Sequence, residues 1–157
     1  MEIDVRYANL NDKSQIAELI ARLKILNEEL DPHFKTVDEL HDIALKYIEE
    51  SLGRDNVLIL VAYNVESGEI AGVIRVEILD RLFYNPRIKA LITDIYIKPR
   101  YRGRRVATLL LEKVKDEVKK RGAGILVATY PANNLIADKF YEKAGFKILQ
   151  VERYIPL

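Results

Sequence analysis

The chain has 157 residues, 49% of them apolar and 31% charged, with a formal net charge of +1 and no cysteine. That length suits one domain, residues 1–157, built on a single good core, and the composition excludes a disordered chain. The lack of cysteine excludes disulfides, zinc–thiolate sites and a cysteine nucleophile, and no apolar run approaches the ~20 residues of a bilayer span, so no membrane partner is expected. The acidic, alternating start MEIDVRYANL is not a signal peptide, which makes the cytoplasm the expected compartment. Abundant Lys, Arg, Glu and Ile without Cys or Trp hint at a thermophilic source.

IDVRYA alternates like a strand, and NDKSQIAELIARLKIL sets Ile16, Leu19, Ile20, Leu23 and Leu26 at helical spacing, with Asn11 or Asp12 as its cap. After Pro32, Thr36 and Glu39 offer a capping box to a second helix carrying Leu40, Ile43, Ala44, Tyr47 and Ile48 on one face, closed by Gly53. NVLILVAYN and IAGVIRVEIL read as a hairpin around the turn VESGE. A loop at Pro86 leads to the central strand ALITDIYI, which ends at Lys98–Pro99. Next comes a helix over roughly 105–121, with Val106, Leu110, Val114 and Val118 on its buried face, stopped by Gly122 and Gly124. ILVATY is a strand, PANN a loop and cap, LIADKFYEKAG a short helix, and FKILQVERYIPL a last strand. The order β-α-α-β-β-β-α-β-α-β predicts an α/β (α+β) sandwich: a mixed sheet of about six to seven strands flanked by four helices.

Charge is unevenly spread along this order. Residues 1–53 hold six Lys or Arg against twelve Asp or Glu, a net of −6, whereas residues 98–122 hold ten against three, a net of +7. The stretch RYRGRRVATLL concentrates cations and Gly103 where a helix begins. Positive charge at a helix N-terminus is unfavourable unless an anion sits on it, so strand, basic glycine turn and helix start together predict a phosphate or pyrophosphate cradle. Neither G-x-x-x-x-G-K-[ST] nor G-x-G-x-x-G is present.

About thirty residues on, Asn134, Ala137, Tyr141 and Gly145–Phe146 follow N-x-x-A-x-x-x-Y-x-x-x-G-F. Paired with YIKPRYRGRRVA, this resembles the GNAT superfamily of acetyl-CoA-dependent N-acetyltransferases, tightly over 91–146 and in element order throughout. The family signature [QR]-x-x-G-x-[GA] falls on Arg102, Arg105 and Ala107, with Arg105 where the family usually has glycine. The resemblance implies acetyl-CoA as cosubstrate. Its diphosphate would be wrapped by Arg102, Gly103, Arg104, Arg105, Val106, Ala107 and Thr108. Its pantetheine would pair with the backbone around Ile95, Tyr96 and Ile97 as an added strand and would meet Asn134.

It also implies acetyl transfer to a primary amine by direct attack, with Tyr141 as the acid that protonates the leaving thiolate. Thr129 stands where relatives often carry a glutamate base. Asp94 is the nearest carboxylate, able to take a proton directly or through water, or to anchor a cationic substrate. Glu29, Asp31 and His33 fall where the family builds its acceptor site; the acceptor would be a small-molecule or peptide amine, and the acidic N-terminal segment favours a cationic one. His33 and His41, eight apart and without cysteines, predict no metal site.

An acyl-CoA sensor that has lost turnover is the alternative that Arg105 and Thr129 motivate. Nucleic acid is not an expected partner, because the overall charge is near neutral and the arginines gather at one helix start. An exposed sheet edge or the final strand would allow a homodimer.

Overall fold

A computed structural model describes all of residues 1–157. Its elements in chain order are β1 (Ile3–Tyr7), α1 (Lys13–Glu28), α2 (Leu40–Leu52), β2 (Val57–Asn64), β3 (Ile70–Asp80), β4 (Ile88–Ile97), α3 (Val106–Lys120), β5 (Ile125–Ala128) and α4 (Leu135–Lys143). One five-stranded sheet has the order β1-β2-β3-β4-β5. Neighbours are antiparallel except β4 and β5, which are parallel and joined by the α3 crossover.

β2 reads as an unbroken apolar run because both of its faces are covered. Successive side chains point to opposite sides. Leu58, Leu60 and Ala62 therefore join one core with Ile74, Val76, Ala90 and Ile92 of the neighbouring strands, against Val106, Leu110, Val114 and Val118 of α3. Val57, Ile59 and Val61 join the other, with Ile16, Leu19 and Ile20 of α1 and Ala44 and Ile48 of α2. Leu110 and Val114 are fully buried, and each stabilises the fold by ~1.5–3 kcal/mol relative to exposure. No helix is long and apolar enough to cross a membrane.

Three local expectations are adjusted. Asp12 stands at the N-cap position of α1, but its side chain does not cap that helix: Asn9 caps a short 3-10 turn ahead of it, while the Asp12 carboxylate accepts from Arg6 at 2.7 and 3.0 Å. The Thr36–Glu39 box does not form, because Thr36 donates through N–H and Oγ1 to Glu28 and the chain enters α2 through Glu39 at φ 59°. The last strand is missing as well. Residues 147–157 join no sheet, so the sheet has five strands rather than six or seven, with the four expected helices.

One irregularity shapes everything downstream. Arg75 pairs with Asp94 and Val76 with Ile92, which leaves Thr93 as an extra residue bulged out of β4. β5 accompanies β4 only as far as Ile92↔Ala128, with one more bond from Thr129 N–H to the Ile92 carbonyl. Beyond the bulge the two strands part.

Candidate active site

The parting exposes one edge of β4. Lys98 N–H donates to the Ala71 carbonyl of β3. By the two-residue period of an antiparallel ladder, Tyr96 and Asp94 also bond into β3, while the backbone groups of Ile95 and Ile97 face the opening. Below Ile97 the chain turns through a 3-10 turn, Pro99–Tyr101, held by the fully buried Tyr101, whose hydroxyl lies on Glu69 and Asn64.

Gly103 and Arg105 then adopt positive φ, 76° and 62°, and α3 begins. The first helical bond in this region runs from Leu109 N–H to the Arg105 carbonyl. The six preceding N–H groups, Gly103 to Thr108, have no partner in the chain, and they lie at the positive end of a 15-residue helix. A Cβ on Gly103 would meet nothing within 4 Å, so the turn lies open. Such a cradle with an adjacent open strand edge fits a diphosphate bearing an amide-rich arm.

The cationic side chains divide by role. Lys98 and Arg100 pair with Glu69, and Arg102 folds back, donating from Nε to the Ile97 carbonyl at 3.0 Å with its guanidinium 5.3 Å from the Tyr96 ring centroid. Arg104 and Arg105 form no ion pair. Arg105 holds a left-handed conformation that a side chain tolerates poorly, which is the physical reason a glycine would suit this position.

On the far wall, Asn134 caps α4, its Oδ1 accepting from Ala137 N–H at 3.0 Å, and its Nδ2 makes no bond within the chain. Tyr141 is buried, stacked on Tyr130 at 5.2 Å and edge-on to Phe140 and Phe146. Burial, with a smaller push from Tyr130, raises the Tyr141 phenol above its ordinary pKa. Its hydroxyl has no protein partner. It is not sealed off either, since Asn27 Oδ1 is the one buried side-chain polar atom left unsatisfied.

Asp94 lies on the opposite face of the sheet, beneath α1 and α2. Its carboxylate accepts from Lys24 Nζ at 2.6 Å on Oδ1, and from Tyr47 Oη at 2.8 Å and Thr93 Oγ1 at 2.9 Å on Oδ2. Buried Arg75 lies 4.4 Å over the Tyr47 ring and donates to Ser51, Glu77 and Thr93. Burial first, then the Asp94 charge, raises the Tyr47 phenol.

Asp94 and Tyr141 therefore do not touch; they stand on two sides of the parting between β4 and β5. Lys24, Tyr47, Arg75 and Thr93 escaped the sequence reading, although an arginine inside IAGVIRVEIL, an otherwise apolar strand, was a visible signal.

Of the expected acceptor residues, Asp31 is spent locally. It accepts from the His33 N–H at 2.8 Å and from the Tyr154 hydroxyl, and the His33 N–H holds its carboxyl below the usual range. His33 packs on the Tyr154 ring at 4.5 Å, and Glu29 ends α1. Asn133 Nδ2 donates to the Leu30 carbonyl at 3.0 Å and so ties this connection to the loop before α4. No group of three or more His, Asp or Glu side chains is arranged to hold a metal ion.

Comparison with known proteins agrees with this geometry. Residues 22–146 match the model of the acetyltransferase (GNAT) family. A glucosamine 6-phosphate N-acetyltransferase of Arabidopsis thaliana is 25% identical over 96% of this chain and 95% of its own. An uncharacterized N-acetyltransferase of Methanocaldococcus jannaschii is 36% identical over 62 residues, 40% of this chain and 27% of that protein, so the match spans only about a quarter of that relative. A crystal structure from Clostridium acetobutylicum, described as a predicted acetyltransferase with acetyl-CoA, shares the fold at a TM-score of 0.76 and 19% identity, covering 99% of this chain and 96% of that one. The chain belongs to the acetyltransferase (GNAT) family and is an N-acetyltransferase whose cosubstrate is acetyl-CoA.

Proposed function

We propose that the chain moves an acetyl group from acetyl-CoA to the primary amine of a small cationic acceptor by direct attack within a ternary complex. The observation that carries this reading is that six unpaired N–H groups, an open strand edge and an unbonded tyrosine hydroxyl belong to elements packed in one cluster, where Val106 and Tyr141 meet Ile95 and Ile97. The N–H groups of residues 103–108 hold the diphosphate, the backbone of Ile95 and Ile97 pairs with the pantetheine, and Asn134 Nδ2 donates to it. The neutral amine forms a bond to the thioester carbonyl carbon, the C–S bond breaks, Tyr141 donates its proton to the departing sulfur, and the proton shed by the amine nitrogen returns to the Tyr141 oxygen through solvent. Burial suits Tyr141 to this, because the raised phenol stays protonated throughout the physiological range.

Asp94 anchors the acceptor rather than taking its proton. Oδ2 already receives two hydrogen bonds, whereas Oδ1 holds a single half-exposed ammonium, that of Lys24, which a cationic acceptor can displace. The acidic balance of residues 1–53 supports a cationic acceptor, and the relative from Arabidopsis thaliana is named for an amino sugar.

Isothermal titration with acetyl-CoA, repeated with pantetheine lacking the diphosphate, tests the cradle, and an amine panel then tests turnover. Micromolar binding that needs the diphosphate, followed by acetylation of polyamines or aminosugars, is the expected outcome. Acetyl-CoA binding without turnover of any amine would leave an acyl-CoA sensor, and binding indifferent to the diphosphate would remove the cradle.

A further inference from the structure

β4 changes faces partway along its length. Ala90 and Ile92 belong to the core under α3, whereas Tyr96 belongs to the core under α1 and α2, and Ile95 and Ile97 pack on the α3 side. In a regular strand residues 90, 92, 94 and 96 would share one face. The extra residue at Thr93 reverses the alternation. Asp94 therefore stands on the α1–α2 side, where Lys24 and Tyr47 meet it, only because the bulge is there.

Arg75 is the residue of β3 that pairs with Asp94 just past the bulge. It is 1% exposed, on a strand whose neighbouring residues are apolar and buried. Burying an arginine is costly, and an apolar side chain of similar size would serve stability as well or better. What it touches accounts for it instead. Nη1 donates to Thr93 Oγ1 at 2.9 Å and to Glu77 at 2.7 Å, and Nε donates to Ser51 Oγ at 3.0 Å.

Two hydroxyls follow from these bonds. The Thr93 oxygen already accepts from Arg75, and its single proton has Asp94 Oδ2 at 2.9 Å, nearer than the Arg75 carbonyl at 3.3 Å. Tyr47 donates to the same Oδ2, and the guanidinium lies over its ring. Ser51, one turn further along α2, donates to the Tyr47 carbonyl at 2.6 Å and so ties that turn to Arg75 as well.

We propose that Arg75 is a positioning residue for acceptor binding: it holds the bulge and the two hydroxyls that clamp Asp94 Oδ2, which leaves Oδ1 turned to the amine. It acts through Asp94, so the proposal rests on the reading of Asp94 as the acceptor's anchor.

The probe is putrescine, titrated calorimetrically into the full-length protein loaded with coenzyme A, where no acetyl group can be transferred. Arg75→Lys keeps the charge but not the planar fork. It should bind putrescine about tenfold more weakly, the loss of one hydrogen bond to a charged group, with acetyl-CoA affinity unchanged. In turnover the acceptor KM should rise by the same factor while kcat holds. Tyr47→Phe and Thr93→Val combined should copy this loss, and adding Arg75→Lys to them should cost little more, because the arginine then has nothing left to hold. A crystal structure of Arg75→Lys should show the Thr93 hydroxyl released from Asp94 Oδ2. Thr93→Val carries the same test should Arg75→Lys fail to fold.

Putrescine affinity equal to that of the parent in these variants would overturn the proposal. So would a loss matched by an equal loss of acetyl-CoA affinity, or a further tenfold loss in the triple variant. Asp94→Asn separates the two readings. If it leaves putrescine binding as in the parent, the anchor is wrong and the role of Arg75 falls with it. If it abolishes binding that Arg75→Lys and Thr93→Val leave intact, the anchor stands and the positioning role alone fails.

Discussion

Replacing Tyr141 by Phe separates catalysis from folding unusually cleanly. The ring is buried among Tyr130, Phe140 and Phe146, and the substitution keeps all of those contacts. The hydroxyl makes no hydrogen bond in the chain, so its removal strands no partner. Burying a hydroxyl without a partner costs ~1–3 kcal/mol, and this one keeps some access to the cleft. Tyr141→Phe should therefore be as stable as the parent or more stable by up to ~1 kcal/mol. Loss of a positioned general acid costs ~10²–10⁴-fold in rate, or ~3–5 kcal/mol of barrier. The assay is simple, because the chain has no cysteine and a thiol reagent therefore reads only the released coenzyme A. A kcat within twofold of the parent, with acetyl-CoA affinity unchanged, would refute the acid role of Tyr141.

Alkaline stability follows from the same residue. The Tyr141 phenol is raised in the fold and titrates near ~10 when unfolded. Its contribution is therefore fully present below pH ~10 and is lost as pH rises, because the unfolded chain gives up a proton that the folded chain retains. Melting temperature should fall above pH 10, and less steeply in Tyr141→Phe; parallel curves would contradict this. At Arg105, glycine relieves ~1 kcal/mol of left-handed strain but adds ~0.5–1 kcal/mol of unfolded-chain entropy. Arg105→Gly should thus leave stability nearly unchanged and bind acetyl-CoA at least as tightly by calorimetry. A tenfold weakening would instead assign the affinity to the guanidinium. Lys24→Met deprives the buried Asp94 carboxylate of its ammonium, lowering stability by ~1–3 kcal/mol. Small cationic amines should then raise the melting temperature of this variant more than that of the parent, and equal shifts would sink the displacement of Lys24 by the acceptor.

Most of the architecture was legible because it rests on periodicity. The helical spacing of Val106, Leu110, Val114 and Val118 and the two-sided apolar run 57–62 each reflect burial that has no alternative. The open helix start after Gly103 was legible for a different reason, since glycine and arginine before a helix carry a local electrostatic meaning. The Asp94 cluster was not. Lys24, Tyr47, Arg75 and Thr93 come from four elements, and only the bulge at Thr93 and the packing of α1 and α2 on the sheet bring them together. The final strand misled for an instructive reason. The pattern of residues 147–157 states a preference for pairing, but a sequence does not say where its partner edge lies.

The parting of β4 from β5 has a consequence for how long the protein lasts. Beyond α3 and its own side-chain packing, the C-terminal leaf of the molecule, β5 with α4, is joined to the rest by a ladder of four residue pairs, the flanking bonds of Gly124 and Thr129, and the Asn133–Leu30 tie. So short a seam makes that leaf a natural unit of local opening, well below the free energy of global unfolding. In the binding mode proposed above, a cosubstrate would lie across the seam between α3 and β4 on one side and Asn134 on the other, close it, and withdraw the open form by mass action. The susceptibility of this chain to proteolysis would then follow the supply of activated acetyl groups around it, rising when they are scarce.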